Sequence, residues 1–453
     1  MIERTDPTEV QGERVDVDTP LGAFPAMADG DVVRIRNIRY ARAARFAKPD
    51  PVAPDPAESA DLQQVRLAFP QAEGPRASLV GFPMRGCTFD EDALRLSITR
   101  PRQVADAPLP VLVWLHGGSY AWGAGDITGH DAGPMVREQG VIVVTVTSRI
   151  GLLGFVADES RPANLGLLDV IAALRWVRRH IAAFGGDPDR VTVFGQSSGA
   201  DTLAHVLAAD GTEGLVTRAI LQSAPLGIRG GREQMHERML RAAGPLDADT
   251  PVADLLAAQE RAKEAAAGDG LRSAMAFAPQ YGRAPLPAED ELEDRWRERA
   301  AGLDVLVTWT TEESAFFFEA DPKLTALAER PVVGQMLRDL VIRFLNRAVY
   351  SRDGRRLARL LGRAGARAQV AELSLRPDDS PVGAAHAIEV PLLFPGGPWT
   401  DAPLLRPEGG RTAAEAGAPL RAAWAEFARE GRIDAAQIAA GPGWSGEVRV
   451  GEA

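Results

Sequence analysis

Val191-Thr-Val-Phe-Gly-Gln-Ser-Ser-Gly199 is the stretch on which the reading of the chain turns. Val191 to Phe194 are strand formers, Gly195 to Gly199 reads as a sharp turn, and Ala200 to Ala208 continues as a helix. A serine at such a corner carries its hydroxyl out above the sheet edge. Glycines flank it because a Cβ at either place would crowd the neighbouring elements. Ser197 is therefore the candidate nucleophile. A chain with 45 glycines can produce G-x-S-x-G by chance, so the surrounding elements decide.

Upstream, Leu109 to Leu115 is almost continuously apolar, as expected of a strand covered on both faces, and it ends in His116-Gly-Gly-Ser-Tyr120. Val141 to Thr147 reads as a second such strand. Leu167 to Phe184 places Leu168, Ile171, Leu174, Trp176 and Ile181 at near-helical spacing, and Gly185-Gly-Asp-Pro188 stops that helix before Val191 opens the next strand. Downstream, Ala219 to Ser223 and Leu303 to Trp309 supply further strands. Buried strands alternating with helices predict an α/β fold, a mostly parallel central sheet with helices on both faces and reactive groups at the strand carboxyl ends.

The apolar and polar alternation of residues 13 to 40, broken by Pro20, Gly22 and Gly30, predicts antiparallel strands at one sheet edge. Residues 229–300, with helical runs at Glu233 to Ala243 and Asp254 to Ala267, are expected to form a helical cap. Residues 320–380 are expected to add pocket-rim helices, all within a single domain spanning 1–453. The arginine-rich run Arg355 to Arg367 reads as a solvated helix face in preference to an anion site.

Of 453 residues, 45% are hydrophobic and 25% charged, the balance of an ordinary globular protein. A net charge of −11 argues against nucleic acid as a partner. The single cysteine, Cys87, excludes an intrachain disulfide and suits a reducing compartment. No apolar stretch of about 18 residues occurs and no signal-like segment opens the chain, so a cytoplasmic protein without a membrane partner is expected. Monomer and homodimer are both left open.

A serine hydroxyl is a weak nucleophile and needs a base, itself oriented by a third group. Strand-turn-helix hydrolases place these in the order Ser, Asp or Glu, His. Among six histidines, His205 lies on the helix after the turn and His236 in the cap region. His386 sits late, in a loop entering an apolar segment, with a carboxylate before it. That carboxylate belongs on a turn just past a strand, which nominates Glu313, with Glu312 as the alternative and a pair of solvated surface glutamates as the competing reading. Charge developing on the carbonyl oxygen needs backbone N–H donors already in place. Gly118 and Ser119 at a strand end, joined by Ser198 after the nucleophile, can provide them, with Gly117, Gln196 and Ser223 in support. His116 lacks a second ligand at metal spacing, so no metal is expected. Trp122, Trp309 and Phe316 to Phe318 adjoin the donor loop and the acid turn. They are candidate walls for a small-molecule ester pocket, with core packing as the competing role.

These residues resemble the type-B carboxylesterase/lipase family, which includes the bacterial para-nitrobenzyl esterases and the cholinesterases. The match covers most of the chain. It is densest over Asn164 to Asp169, Ala173 to Val177, Phe184 to Pro188 and Phe194 to Ala200, with Glu91 to Leu96, Leu221 to Ser223, Gly383 to Phe394 and Ala423 to Ala428 around it. The resemblance implies an α/β-hydrolase fold, no cofactor and hydrolysis of carboxylic esters through an acyl-serine intermediate. It implies Ser197, Glu313 and His386 as the triad and Gly118, Ser119 and Ser198 as the oxyanion hole. Four departures stand out. Gln196 replaces a common glutamate, which weakens any case for cationic choline esters. Ser198 replaces the usual alanine, and Ala93 stands where secreted members have a disulfide cysteine. The interval from Glu313 to His386 is short, from which a more open pocket mouth is expected. The leading expectation is a hydrolase of small to medium uncharged esters. The alternatives are a carbamate or amide hydrolase of the same mechanism, or a catalytically silent binding protein that keeps the fold.

Overall fold

The computed structural model describes residues 12–74, 77–81, 84–103, 107–158, 161–318, 333–378, 380, 382–405 and 408–453. The central strands are β1 (Glu13–Thr19), β2 (Gly22–Asp29), β3 (Val32–Arg39), β4 (Arg95–Pro101), β5 (Leu109–Leu115), β6 (Ile142–Val146), β7 (Gly186–Gln196), β8 (Arg218–Gln222), β9 (Asp304–Thr310), β10 (Arg367–Leu373), β11 (Gln437–Ala439) and β12 (Glu447–Glu452). They join in one sheet in the order β1-β2-β3-β4-β6-β5-β7-β8-β9-β10-β12-β11. From β6 to β10 every pairing is parallel. The amino-terminal edge and the β10-β12-β11 end are antiparallel.

The sheet is buried on both faces, which is why its middle strands read as unbroken apolar runs. On β5, Val111, Val113 and Leu115 join one core, while Leu112 and Trp114 join the other. The first core is closed by α2 (Leu165–His180) and α3 (Ser198–Ala208). The second is closed by α1 (Gly133–Gln139) and α9 (Ala418–Glu430). Between them in sequence come α4 (Glu233–Ala243), α5 (Val252–Ala266), α6 (Leu292–Arg299), α7 (Val333–Asn346) and α8 (Arg352–Arg363). Inside the first core, the buried Arg149 guanidinium grips Asp169 of α2 through two hydrogen bonds of 2.6 and 2.8 Å.

The edge strands expected over residues 13 to 40 are β1 to β3. The strand expected to open at Val191 begins at Gly186, which pairs with Leu109 before the register shifts ahead of Val191. That bulge absorbs Asp187-Pro188, the pair whose turn-forming character suggested a later start. The helix expected to run to Phe184 is α-helical to His180, then tightens into a 3-10 turn that closes at Gly185 with φ of 87°.

Within 229–300, α4 and α5 pack on each other, whereas α6 lies in the layer that covers the sheet. Its Trp296 indole donates to the Ala204 carbonyl of α3 at 2.8 Å. Of the expected rim, 320–332 lies outside the described residues, and 367–373 is the central strand β10 rather than a helix. Its sequence, RAQVAEL, holds a single β-branched residue and carries little strand signal, and the flanking strands override that local preference. The arginine-rich run is the helix α8 as far as Arg363, with Leu357 and Leu361 buried and Arg352, Arg356, Arg359 and Arg363 exposed, whereas its last arginine, Arg367, opens strand β10 and pairs with Asp304.

Candidate active site

Ser197 sits at the junction of β7 and α3 with φ 56° and ψ −124°, a backbone state that ordinary side chains avoid. Its neighbours enforce the corner. A Cβ on Gly199 would lie 2.1 Å from the Leu115 carbonyl oxygen, and one on Gly195 would lie 2.7 Å from the carbonyl carbon of Gly199. The Ser197 amide donates to Gln222 O at 2.9 Å, which ties the corner to the end of β8. Ser223, also predicted as supporting, is buried just beyond, and its amide donates to Thr308 O at 2.8 Å.

The turn after β9 holds Glu313 fully buried. One carboxylate oxygen accepts from the Thr310 amide at 2.8 Å, and the other faces His386 Nδ1 at 2.5 Å. Glu312, adjacent in sequence, turns away and accepts from the Ala384 amide at 2.7 Å, bracing the loop that delivers His386. Asn346 pins the acid turn from α7 by accepting from the Ser314 amide at 2.9 Å and donating to Thr311 O at 2.6 Å. Tyr350 packs tilted against the imidazole with centroids 5.2 Å apart. Neither residue was marked by the sequence, since both come from a helical stretch with no local motif.

With Nδ1 donating to Glu313, His386 Nε2 carries a lone pair. In the structure that lone pair faces the Gln196 side-chain amide at 3.1 Å, and Ser197 Oγ has no hydrogen-bond partner among the described residues. Ser197 and His386 line the same cavity, and such bonds commonly tighten only when substrate is bound. Glu389, three residues after His386, is also fully buried. Burial, then the Glu313 charge, pushes its carboxyl up to about 7. Gln222 donates to it at 3.4 Å, and its second oxygen has no partner.

Gly118 and Ser119 follow β5 with φ of 122° and 54°. A Cβ on Gly118 would lie 1.9 Å from the Trp122 carbonyl oxygen, so only glycine permits this approach. Gly117 packs against Gln196, whose side-chain oxygen would be 2.8 Å from a Cβ there. The amides of Gly118, Ser119 and Ser198 are not spent on any other hydrogen bond among the described residues. This leaves a half-buried hydroxyl, an imidazole oriented by a buried carboxylate, and free N–H groups, the kinds of group that acyl transfer requires.

The cavity has a free volume of about 90 Å³. Trp122, Phe316 and Phe317 line it, as expected from the sequence. Trp309 does not, and its assignment to the pocket is corrected. Alternation along β9 turns Trp309 to the opposite core from Leu306, where its indole donates to Glu372 at 2.9 Å and Arg355 stacks at 4.2 Å. The sequence reading missed Trp114, Ile127, His130 and Trp399. Trp114 was read only as strand core, and Trp399 comes from a distant loop. No Asp, Glu, Lys or Arg lines the cavity among the described residues. The expected open mouth concerns a rim whose residues 319–332 lie outside those described. His116 is turned back on its own loop, with Nδ1 2.8 Å from Gly117 O, and burial lowers its proton affinity.

A sheet of this order with a serine corner, a following acid turn and a late histidine defines the α/β-hydrolase fold. The chain belongs to the carboxylesterase family, whose model matches residues 26–345. It is 37% identical over 427 residues to the probable N-octanoylanthranilate hydrolase AqdA2 of Rhodococcus erythropolis, covering 92% of this chain and 93% of that protein. It is 31% identical to the para-nitrobenzyl esterase of Bacillus subtilis over 340 residues, covering 67% and 64%. Among solved structures, a thermophilic para-nitrobenzyl esterase superposes with a TM-score of 0.72 at 25% identity, covering 94% of this chain and 93% of that one. The protein is accordingly a carboxylic ester hydrolase. Among the described residues no helix is long and apolar enough to cross a membrane.

Proposed function

We propose that Ser197 Oγ attacks the ester carbonyl carbon while His386 Nε2 takes the hydroxyl proton. Glu313 holds the imidazole and stabilises its charged form. The carbonyl electron pair moves onto oxygen, where the amides of Gly118, Ser119 and Ser198 receive it. Collapse of this adduct expels the alcohol, which leaves with the proton from His386. Water then enters by the same base, releases the acid and restores Ser197. The observation that carries this reading is the buried Glu313–His386 pair opening onto the same cavity as Ser197 and the unspent amides of Gly118 and Ser119. By analogy with measured cases, each donor is worth about a hundred- to a thousand-fold in turnover.

A narrow aromatic cavity with no Asp, Glu, Lys or Arg among its described lining residues suits small to medium uncharged esters. An arylamide is a second candidate substrate, favoured by the full-length relative whose name specifies N-octanoylanthranilate. Catalysis by the chain as one domain, with α5 as a wall beside the donor loop, is part of this proposal, and so is a cytoplasmic setting for a protein whose one cysteine is a free thiol. Purified protein is expected to cleave p-nitrophenyl acyl esters and to bind one fluorophosphonate per chain. Ser197→Ala should abolish both. Wild-type and Ser197→Ala rates that both equal buffer, in protein that fails to label, would refute the mechanism.

A further inference from the structure

One wall of the cavity holds an imidazole that the hydrolysis does not use. His130 ends the short turn Thr128–His130 beyond the donor loop. Its ring is held between Trp114, edge-on with centroids 5.3 Å apart, and Phe394 at 5.7 Å. Nδ1 lies 3.1 Å from the Ala124 carbonyl oxygen and 3.2 Å from that of Gly125. Two carbonyl acceptors demand a donor, so Nδ1 carries the proton and Nε2 keeps a lone pair. Burial, then the neighbouring His116, pushes this imidazole down to about 3, so protonation does not convert Nε2 to a donor at working pH. Nε2 has no hydrogen-bond partner among the described residues. Unlike His116 Nε2, it keeps accessible surface, and the residue lines the cavity. A base in the manner of His386 is excluded, because no carboxylate bonds to Nδ1 and the ring binds protons too weakly.

We propose that His130 is a specificity-determining residue whose Nε2, a fixed acceptor among Trp114, Ile127 and Trp399, selects substrates carrying an N–H or O–H donor over isosteres with a methyl group in its place. An apolar group covering this nitrogen leaves a lone pair dry and unbonded, whereas a donor replaces the lost solvation. Sites built to bond a substrate hydroxyl or amide reject the analogue without it far more sharply than apolar pockets discriminate by size. The proposal rests on the reading that Ser197 works in this cavity. It deepens that reading by naming the substrate class as donor-bearing esters and amides.

Two isosteric pairs test it, one for each half of the substrate. In the acyl half, p-nitrophenyl 3-hydroxybutanoate is compared with p-nitrophenyl 3-methylbutanoate. In the leaving group, 3-hydroxyphenyl acetate is compared with 3-methylphenyl acetate. Relative to uncatalysed hydrolysis, kcat/KM should favour the hydroxyl member of at least one pair by about tenfold or more. His130→Phe keeps a ring and removes the acceptor, and should bring that preference, read as the ratio within the pair, to within about twofold whatever the absolute rates become. His130→Gln restores an acceptor and should recover part of the preference. No preference in either pair for the wild type would overturn the proposal even if neither variant folds, as would a preference that survives in His130→Phe. Active sites are counted with a fluorophosphonate. Wild-type protein that labels but does not discriminate refutes His130 alone, whereas protein that neither labels nor turns over refutes the Ser197 mechanism beneath it.

Discussion

Gln196→Glu places a carboxylate where a neutral amide now faces Nε2 of His386, the proposed base. In the structure the Gln196 side-chain amide is 3.1 Å from His386 Nε2, where its N–H meets the lone pair of the ring. A carboxylate cannot donate there, and it attracts the imidazolium instead. At about 4 Å and an effective dielectric of about 20, opposite unit charges attract by about 4 kcal/mol. Most of that is lost to the cost of a further carboxylate beside Glu313 and Glu389 and to water in the cavity. A net effect of about 1.4 kcal/mol is worth about one pH unit. The sign follows from the mechanism. The base works unprotonated, so favouring its protonated form moves the acid limb of kcat/KM upward by about one unit. Activity well below the limb then falls about tenfold, while the alkaline plateau is less affected. The assay is a pH profile of kcat/KM on a neutral p-nitrophenyl ester, with Gln196→Met as the uncharged control. An acid limb that stays within about 0.2 unit of wild type, with rates reduced equally at every pH, would show that Gln196 does not act through His386.

Glu313→Gln should lower kcat by about three to four orders of magnitude through loss of imidazole orientation. Glu312→Gln should cost under about tenfold, because its carboxylate braces Ala384 and not the base, and equal losses would refute the assignment. Glu389 is held protonated to about 7 against an ordinary 4.5, so the native fold is favoured by this group below 4.5 and loses that favour as pH rises through 7. Glu389→Gln should therefore stabilise the protein at pH 8 by about 3 kcal/mol in urea unfolding and leave it unchanged near pH 4. An equal gain at both would point to packing instead. Asp169→Ala strands the Arg149 guanidinium, itself 3% exposed, and should cost about 3 to 5 kcal/mol in the same assay; a loss under about 1 kcal/mol would show that the guanidinium finds other partners.

Local sterics and chemistry made much of this protein legible in its sequence. The serine corner needs glycines at Gly195 and Gly199 because strand and helix pass within contact there, and the donor loop needs Gly118 because the chain folds onto Trp122. Such short-range demands leave patterns that survive without coordinates. The unbroken apolar runs of β5 and β6 likewise follow from burial on both faces. Strand β10 left no such mark, since its identity comes from the strands on either side of it.

Tertiary structure alone decided questions that turn on where distant segments meet. Glu312 and Glu313 are neighbours with the same chemistry. Only the arrival of His386, 73 residues later, assigns one to the imidazole and the other to the loop that carries it. Trp309 adjoins the acid turn in sequence, but the pleat sends it to the other face. His130 gains its directed acceptor from two carbonyls and two aromatic rings that no spacing reveals. The departure at Gln196 was visible as a residue type, and its contact with the base was not, because side-chain direction across 190 residues is settled by packing. Sequence therefore determined which groups this enzyme possesses, and the fold determined which of them face one another.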